Sequence, residues 1–202
     1  MKGLLARLFG SRSSSPTVTV VSGLPRSGTS MMMKMLDAGG LPPLTDNERT
    51  ADADNPKGYY EFELVKQLPG DTSWLPESAG KAVKIISMLL THLPGTYHYK
   101  IIFMRRHIDE ILASQRQMLI RRGEATDKVA DEELARMYAE HITQIEKWLD
   151  AQPNMDVLYV PYNEVLTDPG TWSRRIAEFL GGKLDARTMA EVVDPELYRQ
   201  RA

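Results

Sequence analysis

The sequence predicts an α/β fold of three layers, a central parallel sheet with helices on both faces. Three observations predict it. Residues 17–22 (TVTVVS) form an uninterrupted, mostly β-branched run, as a buried parallel strand requires. That run enters a glycine-containing turn, GLPRSGTS, and a helical stretch follows at residues 29–38 (TSMMMKMLDA), stopped by Gly39 and Gly40. Apolar runs then alternate with helical patterns along the rest of the chain, the order expected of parallel strands joined by helical crossovers.

Each later element has its own signal. Residues 41–58 are rich in Pro, Asp, Asn and Gly and read as a long excursion. Residues 59–68 read as a helix, and residues 82–87 (AVKIIS) and 99–104 (YKIIFM) as buried strands. Residues 107–122 are helical, with Ile108, Ile111, Leu112, Gln115 and Leu119 near one face. Residues 131–150 form a second long helix, whose stripe is Leu134, Met137, Tyr138, Ile142, Ile145, Trp148 and Leu149. A fourth strand follows at 155–160 (MDVLYV), and a helix at 171–180 ends at Gly181 and Gly182. The reading gives one domain, residues 17–202, behind a flexible tail of residues 1–16.

The totals narrow the function. A formal net charge of −2 gives no reason to expect nucleic acid as a partner. The absence of cysteine removes disulfides, thiolate catalysis and cysteine-ligated metals, and fits a cytoplasmic location. No stretch approaches the roughly 20 apolar residues of a transmembrane helix. The tail carries Lys2, Arg7 and Arg12 and no acid, which would allow weak contact with an anionic membrane surface.

The turn carries the chemistry. A P-loop reads G-x-x-x-x-G-K-[ST]: its backbone N–H groups wrap phosphates, its Lys reaches the β- and γ-phosphates and its hydroxyl binds magnesium. Gly23 and Gly28 have that spacing, and Ser30 falls in the hydroxyl place. Thr29 stands where the Lys would be, and the cation comes earlier, at Arg26. The candidate strands end in KIIS, IFMRR and LYVP, and none ends in the Asp that an ATPase uses for magnesium. The fold is therefore P-loop-type, and its loop can hold an anion at a helix N-terminus.

Taken with two further segments, the loop resembles the sulfotransferase family. GLPRSGTS is similar to that family's 5′-phosphosulfate loop. FMRRHIDEILASQRQML resembles its 3′-phosphate motif, an Arg at a strand end and a Ser eight residues on, here Arg106 and Ser114. VPYNEVLTDPGTWSRRIAEFLGG is similar to its C-terminal stretch. The likeness runs over residues 17–201, is nearest to the short bacterial sulfotransferases, and extends more distantly to the tyrosylprotein enzymes. It implies 3′-phosphoadenosine 5′-phosphosulfate (PAPS) as donor, adenosine 3′,5′-bisphosphate (PAP) as product, no metal, and a small-molecule, glycan or peptide acceptor offering a hydroxyl or amine. Pro25, Arg26, Ser27, Gly28, Thr29 and Ser30 would hold the donor together with Arg106 and Ser114.

Physical reasoning adds to that assignment. A strand-end Arg at the carboxyl edge of a parallel sheet points into the ligand crevice and can fork two hydrogen bonds to phosphate. Arg105 competes for this role because neighbouring strand residues face opposite ways, and the spacing to Ser114 favours Arg106.

Sulfuryl transfer needs cations near the moving group and a base for the nucleophile. Arg26 and Lys84 are the candidate cations, Lys84 because it interrupts the apolar run of Val83, Ile85 and Ile86. It resembles the strand lysine that family members direct at the sulfate. Glu61 is the candidate base, expected on a short helix between aromatic neighbours that would desolvate it and raise its pKa. Glu63 is expected on a different face.

His92, in LTHLP, is the rival base, since small-molecule sulfotransferases carry a similar K-T-H-x-P. Leu90 stands in the place of that Lys, and residues 87–92 read as the helix after the strand. His141 reads as a packing histidine on the long helix, and His98 and His107 flank a strand without a partner pattern. Trp74, Tyr59 and Tyr60 suit either an acceptor pocket or the core, and Arg199 and Arg201 either a late donor-closing segment or a solvated terminus. Two rivals to the sulfotransferase reading remain: a magnesium-dependent phosphotransferase, and a degenerate nucleotide-binding domain without catalysis.

Overall fold

The computed structural model describes residues 16–46, 58, 60–126 and 130–194. Four strands, β1 (Thr17–Gly23), β2 (Ala82–Lys84), β3 (His98–Arg105) and β4 (Met155–Pro161), form an all-parallel sheet in the order β2-β1-β3-β4. The helices are α1 (Thr29–Ala38), α2 (Ile108–Arg122), α3 (Asp131–Asp150), α4 (Tyr162–Thr167), α5 (Pro169–Phe179) and α6 (Ala186–Glu191). After β1 the chain steps outward to β2, then returns past β1 to β3. The winding therefore reverses between β1 and β3, and in open α/β sheets the crevice at the carboxyl ends of such a strand pair is where ligands bind.

Alternation along the strands divides the core in two. Val18, Val20, Val83, Ile85, Ile101 and Phe103 pack with Trp74, Leu90, Ile145 and Leu149 on one face. Val21, Ala82, Ile102, Met104 and Val160 pack on the other with Met32, Met33, Met35 and Leu36 of α1, Trp172 and Ile176 of α5 and Met189 of α6. Each such large side chain contributes about 1.5–3 kcal/mol on burial. Both faces are covered, which is why the strands read as continuous apolar runs.

Several expectations are corrected. Residues 59–68 are not one helix: Phe62 is extended, Tyr60 has a left-handed φ of 51°, and only a 3₁₀ turn, Glu63–Gln67, forms. The reason is tertiary. The Glu61 carbonyl accepts from Thr45 Oγ1 at 2.8 Å, and Asp46 Oδ2 accepts from the Glu63 N–H at 2.6 Å, so these two backbone groups bond to residues 45–46 and not within a helix.

The strand expected at 82–87 is cut to Ala82–Lys84, at the edge of the sheet beside β1 and bridged on its other side to Pro43, and a 3₁₀ turn, Ser87–His92, follows. The expected helix at 171–180 is α5, which starts earlier, at Pro169, with Asp168 accepting from the Thr171 N–H as its N-cap. The short helices α4 and α6 were not foreseen. In α3 the burial is confined to the second half, where Ile145 and Leu149 reach the sheet, while Met137 is exposed. Among the described residues, no helix is long and apolar enough to cross a membrane.

Candidate active site

The loop between β1 and α1 is shaped by two glycines. Gly23 has φ 145°, and a Cβ there would lie 2.7 Å from the Met104 carbonyl on β3. Gly28 has φ 98°, and a Cβ there would lie 2.4 Å from the Tyr162 ring. Between them the chain turns through Pro25 and Arg26, closed by the Ser27 N–H donating to the Leu24 carbonyl at 3.2 Å. Arg26 has φ 70°, a left-handed conformation costly for a side-chain-bearing residue and concentrated at ligand-binding loops. Thr29 and Ser30 open α1, whose N-cap Gly28 offers no side-chain cap and whose first turn holds no acid. The N–H groups and positive dipole end of α1 therefore suit an anion. The Ser27 hydroxyl is buried in this loop without a hydrogen-bond partner, a second feature fitting an oxygen-rich ligand.

β3 ends at Arg105, one residue beyond its pairing with Gly23, and Arg105 and the next residue, Arg106, diverge. Arg105 turns outward, paired in a fork with Glu146 of α3 at 2.7 Å and lying 3.9 Å over the Tyr159 ring. Arg106 turns toward the loop. Its Nη1 donates to the Arg26 carbonyl at 3.0 Å, its Nε donates to Glu110 Oε2 at 2.8 Å, and its guanidinium lies 4.6 Å over the Tyr162 ring. Arg26 Nε in turn donates to Ser114 Oγ at 3.0 Å. The loop is thus joined to the β3–α2 segment from both sides. Burial holds the Tyr162 phenol above the ordinary tyrosine value; Arg106 and Arg26 oppose this and Glu110 adds to it.

Lys84 ends β2, aligned with Val21 of β1, two residues before the loop begins. Its Nζ lies 3.6 Å from Glu61 Oε1; the lysine side chain is 10% exposed and the carboxylate side chain 26%. Glu61 therefore meets Lys84 from an irregular segment, not from the expected helix. Glu63 instead pairs with Lys66 at 2.6 Å on the surface.

His92 is exposed at the end of its 3₁₀ turn, where the chain returns toward β3. His141 shares a 2.8 Å hydrogen bond with Ser87 Oγ, and burial lowers its pKa. His98 has a partner that its sequence context did not suggest, Asp156 at 3.0 Å, while His107 is an exposed residue at the start of α2. Trp74 is core, packed edge-on against Phe62, and Tyr60 packs half-buried against the α1-side core. Tyr59, Arg199, Arg201 and the tail cations Lys2, Arg7 and Arg12 lie outside the described residues. A cavity of about 350 Å³ opens between α2 and α3, lined by Asp109, Leu112, Arg116 and Asp131 among others. Among the described residues, no group of three or more His, Asp and Glu side chains is placed to hold a metal.

Three side chains of the site escaped the sequence reading: Glu110, Tyr162 and Asn163. Glu110 stands four residues after Arg106, one helical turn, which was the available signal. Asn163 and Tyr162 reach Glu110 and Arg106 from the far end of β4.

Comparison with known proteins agrees with this architecture. The family model described as "Sulfotransferase domain" matches residues 16–198. Among curated protein sequences no match is found. The sulfotransferase domain of the Synechococcus PCC 7002 olefin synthase superposes with a TM-score of 0.56 at 16% identity, covering 95% of this chain and 90% of that one. A sulfotransferase of Mycobacterium tuberculosis H37Rv gives 0.54 at 15% identity, with 88% and 71% covered. A mouse sulfotransferase complexed with PAP gives 0.50 at 18% identity, with 90% and 63% covered. At these identities the structural likeness concerns the fold.

Proposed function

The chain belongs to the sulfotransferase domain family and is a sulfotransferase, and from that premise we propose that it takes its sulfuryl group from PAPS through the loop and arginines described above. The observation that carries the proposal is the bracing of Arg26 by Ser114 and of Arg106 by the Arg26 carbonyl, at 3.0 Å each. It brings two guanidinium groups and a helix N-terminus to the crevice between β1 and β3, as a donor with phosphate on both sides of its ribose requires. Pro25 to Ser30 would cradle the 5′-phosphosulfate, with Ser27 supplying a hydroxyl, and Arg106 with Ser114 would receive the 3′-phosphate. That a structural neighbour was solved with PAP supports the same reading.

In this proposal Glu61 removes the proton from an acceptor hydroxyl or amine. The acceptor's lone pair forms the new bond to sulfur as the bond from sulfur to the bridging phosphate oxygen breaks. That oxygen keeps the electron pair and leaves on PAP. Lys84 and Arg26 would stabilise the charge that builds on the sulfuryl and bridging oxygens. Lys84 would also hold Glu61 at the edge of the crevice through their ion pair.

No metal is required by this scheme, and the strand ends agree: β1 to β4 finish in Gly23, Lys84, Arg105 and Pro161, none of them the magnesium-binding Asp of a phosphotransferase. The proposal includes one domain from residue 17 onward, an acceptor of small-molecule, glycan or peptide type, and a cytoplasmic location. Calorimetric titration with PAP in the presence of a chelator, against titration with magnesium ATP, tests it. PAP binding alone is expected. Binding of magnesium ATP without PAP binding would favour the phosphotransferase.

A further inference from the structure

Glu110 is a carboxylate buried where an anion is to bind. It is 2% exposed, in the first turn of α2. Its Oε2 accepts from Arg106 Nε at 2.8 Å and its Oε1 accepts from Asn163 Nδ2 at 2.9 Å. A negative charge here lowers the attraction of the site for any anion, and burying a carboxylate is costly unless hydrogen bonds satisfy it. Its presence therefore calls for an explanation other than charge.

Geometry supplies one. An arginine at the end of a strand has four side-chain torsions to fix, and a freely rotating guanidinium attracts phosphate without regard to its direction. Here three contacts fix the plane of Arg106. The Glu110 carboxylate holds its Nε edge, the Arg26 carbonyl holds Nη1, and the Tyr162 ring lies beneath its face at 4.6 Å. Asn163, from α4, fixes the carboxylate in turn. The chain of contacts runs from α4 through Glu110 to Arg106 and on to the loop.

We propose that Glu110, held by Asn163, is a positioning residue that aims the Arg106 guanidinium at the 3′-phosphate and so makes the site select 3′-phosphorylated nucleotides over those with a 5′-phosphate alone. This rests on the donor reading given above. It accounts for a buried carboxylate beside a phosphate site: the attraction lost to its charge is exchanged for direction.

The test is calorimetry with PAP and with adenosine 5′-monophosphate on wild type, Glu110→Gln, Glu110→Ala and Asn163→Ala. The preference for PAP is expected to fall about tenfold to a hundredfold in Glu110→Ala, the scale of a hydrogen bond to a charged group. Glu110→Gln, which keeps an oxygen for Arg106, should recover part of it, and the monophosphate affinity should stay within about threefold throughout. If Glu110→Ala does not fold, Asn163→Ala, which leaves the ion pair in place, should still show a severalfold fall in the preference. Were Glu110 important only for its charge, removing it would tighten PAP binding, and that result overturns the inference. So does a preference unchanged in all variants, or an equal loss for both nucleotides. A wild-type chain with no preference for PAP would overturn the donor reading and this inference with it.

Discussion

Around β1 and β3 the site is held by buried strands and short hydrogen bonds that cross between elements, whereas at β2 it rests on an edge strand of three residues and an ion pair 3.6 Å long. Arg106 reaches the loop, α2 and the ring of α4's first residue; Lys84 and Glu61 meet beside a segment bonded to residues 45–46. The first region suits a group that must be recognised in one orientation. The second suits a place where an acceptor must enter and a proton must leave. On the proposed assignment, donor recognition belongs to the folded frame, while the candidate chemistry sits at its more open margin.

Breaking the margin should leave the frame intact. Glu61→Gln is expected to lower the rate of sulfuryl transfer from labelled PAPS by about 10²–10⁴-fold, the range for losing a general base. PAP affinity, measured on the same protein, should hardly change. Lys84→Met should lower the rate by about 10²–10³-fold. The double variant should lose much less than the product of the two, because the groups act as one unit. Loss of PAP binding in either single variant would erase the proposed division.

Breaking the frame should act first on stability. Gly28→Ala forces a left-handed residue to carry a Cβ 2.4 Å from the Tyr162 ring. A loss of about 2–3 kcal/mol in denaturant unfolding is expected. An unchanged midpoint would mean that the loop and α4 are not packed as described.

The smallest effect concerns His141. Burial lowers its pKa below the ordinary histidine value, so the unfolded chain binds more protons than the folded one as pH falls. Its contribution to stability is therefore complete above about pH 6.5 and declines as pH drops below it. His141→Gln should flatten that decline in thermal unfolding measured between pH 7 and pH 5. An unaltered slope would place the pH dependence elsewhere.

What the sequence disclosed follows the same division. β1, α1, β3 and α3 were legible because contiguous apolar runs or a helical period fix them locally, and the ends of α1 and α3 fall where the pattern changes. The failure at residues 59–68 came from Thr45 and Asp46, more than a dozen residues away, which take hydrogen bonds that a helix would have kept. Arg26 stood out as the cation of the glycine-containing turn, and Arg106 and Ser114 through the resemblance of their segment to the family's 3′-phosphate motif. Glu110 and Asn163 did not, because their meeting depends on β4 returning beside β3, a tertiary fact that no local spacing carries.

If Arg106 reads the 3′-phosphate of the donor, titration with PAP will separate wild type from Arg106→Ala. Wild type is expected to bind, and Arg106→Ala to bind about a hundredfold more weakly while remaining folded, the scale of losing a charge-assisted fork to phosphate. An absence of PAP binding by wild type, or equal affinity in the two proteins, would contradict it.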